Sequence, residues 1–354
     1  MRINLSLTQH LISSSTHSKN MILVTGGSGL VGSHLLFDLA MKGEKIRALK
    51  RKNSDLQAVR ECFAYYSDSA DKLFDHIEWV NGDILDIDSL EDALSGITKV
   101  YHCAALVSFK KGDKKQMKHI NVEGTRNIVD ACLDHKIQKL CYVSSVAALG
   151  TPEEKGEPVS ETTPWSPENK RSDYSVSKFN SELEVWRGIE EGLDAVIVNP
   201  SIILGPGQWH KGSSLLFTTV AKGIKFFTRG VTGYVDVRDV SKAMLQLMDS
   251  DIKNERFLLN ADNCSYEFIF KSISKALKIP EPHKYATPFM TGIAWRIAYL
   301  KKVFLFKEPS FTRATARSSH NCTCYSNQKI KDTLDFEFIP IEKSIKDTVK
   351  YFHQ

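Results

Sequence analysis

Met21-Ile-Leu-Val-Thr-Gly-Gly-Ser-Gly-Leu-Val-Gly32 sets an apolar run against three glycines and opens into a helical pattern over 30–42. Five apolar-rich residues bounded by glycine predict a buried strand. Gly26, Gly29 and Gly32 form a Gly-x-x-Gly-x-x-Gly pattern. The first allows a tight strand-to-helix turn, the second lets backbone approach a pyrophosphate, and the third lets the helix pack on the strand. The helix entered at Leu30 and Val31 presents N–H donors and the positive end of its dipole to phosphates. A strand before and a helix after make this a dinucleotide-binding turn rather than a structural one.

Outward from this turn, short apolar runs recur at 45–50, 77–80, 99–103, 139–144 and 195–199. Helical patterns lie between them, near 88–95, 116–135 and 173–191. Near-continuous apolar strands belong to a parallel sheet covered on both faces. Their alternation with helices implies right-handed crossovers. The expected class is α/β: a Rossmann-type doubly wound parallel sheet over 21–200, with returns at about 235–260. A smaller, interleaved C-terminal substrate lobe is expected from 201–234 and 261–345. Residues 1–20 contain no acidic residue and are rich in Ser, Thr and His. They read as a disordered extension or a start placed ahead of Met21, with a transit peptide as the alternative. The stretch 288–307 is broken by Arg296, Lys301 and Lys302. It reads as an amphipathic helix covering a core, with contact to a membrane surface as the alternative; no segment reads as an integral span.

The second strand indicates which cofactor the turn takes. NAD binders place an acidic residue there for the adenosine ribose hydroxyls. Here the strand ends in Lys50-Arg51-Lys52. These cations suit a 2′-phosphate, so NADP(H) is preferred, with NAD(H) as the alternative.

Tyr174-Ser-Val-Ser-Lys178 places a phenol and an ammonium four residues apart on one helix face. A neighbouring cation favours the ionised phenol and makes it useful for proton transfer near neutral pH.

Bulk properties narrow the field. The chain has 354 residues and a formal net charge of +5. Its basic runs lack interleaved aromatics, so no nucleic-acid partner is expected. Seven scattered cysteines fit a reducing, cytoplasmic compartment. Cys322-Thr-Cys324 lacks the spacing of a zinc site, and no metal is expected.

With both motifs in place, the chain resembles the extended short-chain dehydrogenases/reductases over roughly 21–345. It is most similar to the dihydroflavonol-reductase-like and 3β-hydroxysteroid-dehydrogenase-like branch of the NAD-dependent epimerase/dehydratase family. Thr25-Gly-Gly-Ser-Gly-Leu-Val-Gly32 resembles the cofactor turn, and Gly82-Asp83-Ile84 the segment that contacts adenine. Tyr101-His-Cys-Ala104-Ala105 resembles the fourth-strand motif, whose alanines leave room for the cofactor. Asn121-Val-Glu-Gly-Thr125 resembles the helix motif that ties the sheet together. Val143-Ser144-Ser145 resembles the strand end carrying a catalytic hydroxyl, with Ser145 in the catalytic register and Ser144 before it. Asn199-Pro200-Ser-Ile202 resembles the segment packed against the nicotinamide.

The resemblance implies an enzyme acting on a small molecule, with Tyr174 as acid/base. Lys178 lowers the Tyr174 pKa and binds the nicotinamide ribose, and Ser145 holds the substrate oxygen. Val146 and Ala147 occupy positions where sugar-nucleotide dehydratases carry an extra acid/base pair, which argues against dehydration. An NADP-dependent reductase or dehydrogenase of a carbonyl or secondary alcohol is favoured. An NAD-dependent sugar-nucleotide epimerase and a non-catalytic dinucleotide-binding protein are the alternatives. Phe109, Trp209, Phe217, Phe226 and Phe227 are candidates to line an apolar pocket, or else core. A homodimer through the helices near 116–135 and 173–191 is a further implication of the resemblance.

Overall fold

A computed structural model describes residues 21–108, 111–154, 156–166, 171–305 and 312–352. The expectations for residues 1–20 and for Phe109 lie outside the described residues. The strands, in chain order, are β1 Met21–Thr25, β2 Lys45–Lys50, β3 Ile77–Asn81, β4 Ile97–His102, β5 Lys139–Val143, β6 Ala195–Pro200, β7 Ile202–Leu204, β8 Phe226–Phe227, β9 Val231–Asp236, β10 Glu255–Leu259, β11 Asp262–Ser265 and β12 Lys284–Tyr285. Seven of them form one sheet in the order β10-β6-β5-β4-β1-β2-β3. Every pairing in it is parallel. The strand order reverses between β1 and β4, and a crevice opens at the carboxyl ends of strands at such a point.

The two faces of the sheet are divided residue by residue. Ile22 and Val24 of β1, with Val196 and Val198 of β6, pack under the helices Leu30–Met41 and Val237–Asp249. Leu23, Ala195 and Ile197 point the other way, under Ile128, Val129 and Val185. The strand period of two allows this without a polar face. Fully burying one such aliphatic side chain is worth ~1.5–3 kcal/mol. The helix Leu30–Met41 stops where Gly43 takes φ of +70°, and Gly192 at +104° follows the helix Asp173–Glu190. Both are left-handed positions that glycine tolerates.

The chain leaves this sheet after Pro200. Strands β11, β9 and β7 form a second sheet, and β12 pairs with β8 in a third. The helix Val237–Asp249 and β10 return to the main sheet between them. A separate core gathers here around Leu204, Tyr234, Ile269, Ile273 and Ile345. Phe217 belongs to it, and Trp209 packs edge-on against Phe217 and Phe352. Phe227 is also buried, whereas Phe226 is exposed. One expectation changes over the described side chains of the helix Pro288–Leu305: Phe289, Met290, Ile293 and Ile297 face solvent instead of covering a core.

His102 is fully buried between the hydroxyls of Thr25 (2.7 Å) and Thr125 (3.1 Å). Burial, helped by the Lys178 charge, pulls its pKa down to about 3. The folded chain therefore holds His102 neutral while the unfolded chain protonates it below about 6.5. The unfolded state binds more protons across that window, so this residue makes stability fall as pH falls. Asp239, pushed up to about 6 by burial, acts in the opposite sense. The effect of His102 is read by difference: in His102→Gln the loss of unfolding free energy between pH 7 and pH 5 shrinks by ~2 kcal/mol. Urea titrations of both chains at the two pH values measure it, and an identical loss would show that His102 carries no such penalty.

Candidate active site

The glycine turn is shaped by close approach. Gly26 adopts φ of +71°, and a Cβ there would lie 2.5 Å from the backbone nitrogen of Ala104. A Cβ on Gly32 would collide with the Gly26 carbonyl, whereas one on Gly29 would meet only that oxygen, at 3.3 Å. The first and third glycines are thus required by packing, and the second leaves the turn open to a ligand. The helix beginning after Gly29 has no side-chain cap and no acidic residue in its first turn. Its N–H donors suit a pyrophosphate. Leu30 and Val31 are half-buried at its start, with Val31 packed on the core beneath. Ala104 is half-buried and Ala105 exposed just beyond β4, beside the turn.

At the end of β2, the Lys50 Nζ donates to Asn81 Oδ1 (2.7 Å). Arg51 and Lys52 are exposed, and neither makes an ion pair among the described residues. Asp83 follows β3, and its Oδ1 accepts from the Leu85 amide (3.1 Å), a helix-entry contact. The Ile84 side chain is core, packed on Gly124, and its carbonyl accepts from Asn127.

The helix Asp173–Glu190 is capped by Ser172, whose Oγ accepts from the Ser175 amide (3.0 Å). Tyr174, Lys178 and Glu182 succeed one another at four-residue intervals along it. Tyr174 is half-buried, and the Ser145 hydroxyl lies close enough to its phenol to act on its pKa. Burial raises its pKa, and the Ser145 hydroxyl partly offsets this. The lowering expected from Lys178 does not appear: its Nζ is directed to the Tyr142 hydroxyl and the Val143 carbonyl. Ser145 has an extended backbone, and its Oγ also accepts from the Ala147 amide (3.1 Å). Ser144 points away and donates to Glu182 Oε2 (2.5 Å). The alternation of side chains at a strand end thus gives the two serines different partners. Ser145 is the one beside Tyr174.

The Lys178 Nζ is buried and donates to the Tyr142 hydroxyl (2.7 Å) and the Val143 carbonyl (2.9 Å). Burial pulls its pKa down to about 7, with Glu182 opposing. The Asn199 Nδ2 donates to the Ser145 carbonyl (3.1 Å) and Glu182 Oε2 (2.8 Å). Pro200 is buried beside it, and Ile202 opens β7 half-buried. Asn121 lies in a π-helical turn, Lys118–Glu123. Its amide accepts from the Leu106 N–H (2.7 Å) and donates to the Leu106 carbonyl (3.0 Å) and Ser177 Oγ (3.1 Å). It thereby fixes the loop after β4 to the helix of Tyr174. Turns of this kind frequently mark functional sites.

Three supporting residues escape a reading of the sequence alone. Glu182 is almost wholly buried, and its carboxylate accepts from Ser144, Asn199, Trp186 and Arg256, the last at 2.9 Å. Its spacing from Lys178 was the available signal. Arg256, on β10, and Tyr142, on β5, are brought in by the sheet. Among the described residues no cluster of metal-ligating side chains is found.

A glycine cradle at the strand-order reversal and a Ser145–Tyr174 pair at the end of β5 agree with a match between residues 22–259 and the family described as NAD dependent epimerase/dehydratase. The chain belongs to this family. It is an NAD(P)-dependent enzyme of the extended short-chain dehydrogenase/reductase type. Among curated relatives, sterol demethylase protein B of Methylococcus capsulatus is 32% identical, over 84% of this chain and 86% of that protein. A putative dihydroflavonol 4-reductase of Synechocystis is 28% identical, over 93% of each chain. The crystal structure of gox2253 superposes with a TM-score of 0.77 at 29% identity, covering 94% of this chain and 98% of that one. UDP-glucose 4-epimerase of Thermotoga maritima shares the fold, with a TM-score of 0.72 at 20% identity over 94% and 98% of the two chains. NAD(P)-dependent oxidoreduction is the general activity, and the glycine cradle described above fits its cofactor.

Proposed function

We propose that this protein is an NADP-dependent oxidoreductase that interconverts a carbonyl and a secondary alcohol on a small molecule. The observation that carries this is the placement of Tyr174 beside the Ser145 hydroxyl, with Lys178 one helical turn further on. The cofactor supplies the hydride, and the chain supplies position and a proton. Ser145 and Tyr174 lie next to each other, so a substrate oxygen held by both sits where Tyr174 can protonate it. Lys178 lies beneath with a pKa pulled to about 7. In its charged form it favours the phenolate that remains after proton transfer. Val146 and Ala147, in the short helical turn after Ser145, offer no second acid/base pair for dehydration. The relatives named as reductases support the reductive direction. The smaller sheets beyond Pro200 serve in this reading as the substrate lobe. Exposed Val176 and Leu183, seven residues apart on the helix of Tyr174, support pairing with a second copy there.

The test is a panel of carbonyl compounds and nucleotide sugars followed by NADPH absorbance. Turnover of a carbonyl compound with exchangeable NADPH is expected, and purified protein that retains non-exchanging NAD would overturn the reading. Cofactor choice rests on Lys50 and Arg51. Replacing both (Lys50→Asp, Arg51→Ala) removes two charge-assisted contacts to a 2′-phosphate. Each such contact is worth ~1.5–3 kcal/mol, so NADPH affinity falls by about 100-fold or more while NADH affinity changes little. An unchanged preference would show that this basic turn does not select the cofactor.

A further inference from the structure

We propose that the helix Pro288–Leu305 docks the protein on the surface of an anionic lipid bilayer, lying in the interface without crossing it. One side of the helix is anchored. Thr291 is buried, and its hydroxyl contacts His320 Nε2 (2.9 Å). The other side is apolar and open: Phe289 is 76% exposed, Met290 40%, Ile293 43% and Ile297 49%. The spacing of 289, 293 and 297 aligns these side chains along a single stripe. Large apolar side chains grouped in this way mark an interaction surface, unlike isolated exposed ones. The helix is not apolar enough to span: among the described residues no helix meets that requirement.

Charge selects the occupant. Between Glu281 and Glu308 the sequence has no acidic residue, and it carries Lys284, Arg296, Lys301, Lys302 and Lys307. Arg296 is exposed on the helix next to the half-buried Trp295, and its guanidinium lies 4.8 Å from the indole ring. An apolar stripe beside Arg296 and Trp295, in a segment whose sequence is basic and free of acids, is the pattern of an interfacial helix. A second copy is the poorer occupant. A two-fold contact sets the same patch against itself, which here opposes cations to cations with no carboxylate on the helix to pair with. Anionic headgroups satisfy the same charges and receive the apolar side chains.

The experiment is co-sedimentation of the full chain with large vesicles of 3:1 phosphatidylcholine and phosphatidylglycerol, and with phosphatidylcholine alone. Binding is expected to the anionic vesicles, weaker by about an order of magnitude in 0.5 M salt and weaker still on the neutral ones. Phe289→Asp/Ile293→Asp should abolish sedimentation. Because both side chains are exposed, its melting temperature should match the parent. Failure of the parent chain to sediment with either vesicle, or equal binding to both at all salt concentrations, would overturn the proposal. Light scattering supplies the remaining arm: a dimer in the parent that Phe289→Asp/Ile293→Asp converts to monomer would assign the face to a second copy and overturn it equally.

Discussion

Tyr174→Phe lowers kcat by ~10²–10⁴-fold while the dissociation constant for NADPH stays within about threefold of the parent. The substitution deletes one oxygen from a ring that is otherwise held in place. The phenol lies on a helix fixed by its Ser172 cap and by the Asn121–Ser177 contact, so the ring position should persist. What disappears is the neighbour of Ser145 and, in the proposed mechanism, the proton that meets the substrate oxygen. Because the loss belongs to proton transfer, kcat and kcat/KM should fall together. Steady-state turnover and cofactor fluorescence titration check the two halves separately. Surviving turnover would remove Tyr174 from the mechanism. Retained turnover with lost cofactor affinity would instead move it into the binding site.

The second large effect is on stability. Glu182→Ala is expected to cost ~3–5 kcal/mol of unfolding free energy, because it leaves a charged partner of a buried pair unmatched. Four donors converge on this carboxylate, from Ser144, Asn199, Trp186 and Arg256, so its removal strands each of them. If the Arg256 pair dominates, Glu182→Ala/Arg256→Ala costs little more than Glu182→Ala alone. A double-mutant cycle by urea denaturation measures this coupling. Additive losses would show that the ion pair contributes nothing of its own and that the damage comes through the serine and asparagine.

The parts of the molecule legible in the sequence are those whose physics is local. The glycine spacing around Gly26 and Gly32 is dictated by backbone contacts within a few residues and by one neighbouring strand. The Tyr174–Lys178 interval follows from helix pitch. The apolar runs of β1, β5 and β6 are continuous because both faces are covered. The order Ser144 then Ser145 was also legible, but their partners depend on which way the end of β5 faces. Only the packed structure shows that one serine meets Glu182 and the other Tyr174. Nothing in the sequence singles out Glu182 among the acids of its helix, since its partner Arg256 is 74 residues away on β10. The pattern of Pro288–Leu305 was readable as amphipathic. Which face it turned inward depended on contacts such as Thr291–His320, which periodicity does not encode.

The path of the chain between the main sheet and the smaller ones has a mechanical consequence. It passes from one to the other at Pro200–Ile202, at Asp236–Val237 and again at Leu259–Asp262. A lobe tethered by one linker swings freely and can be cut away. Here several connections lie side by side, and each is continuous with a hydrogen-bonded strand on at least one side. Any opening of the crevice must bend them together, as a broad leaf bends rather than as a door turns on a pin. Neither part can be excised as an intact piece by a single cleavage. Strain introduced at one crossing is carried directly into β6, whose end holds Asn199 against the carbonyl of Ser145.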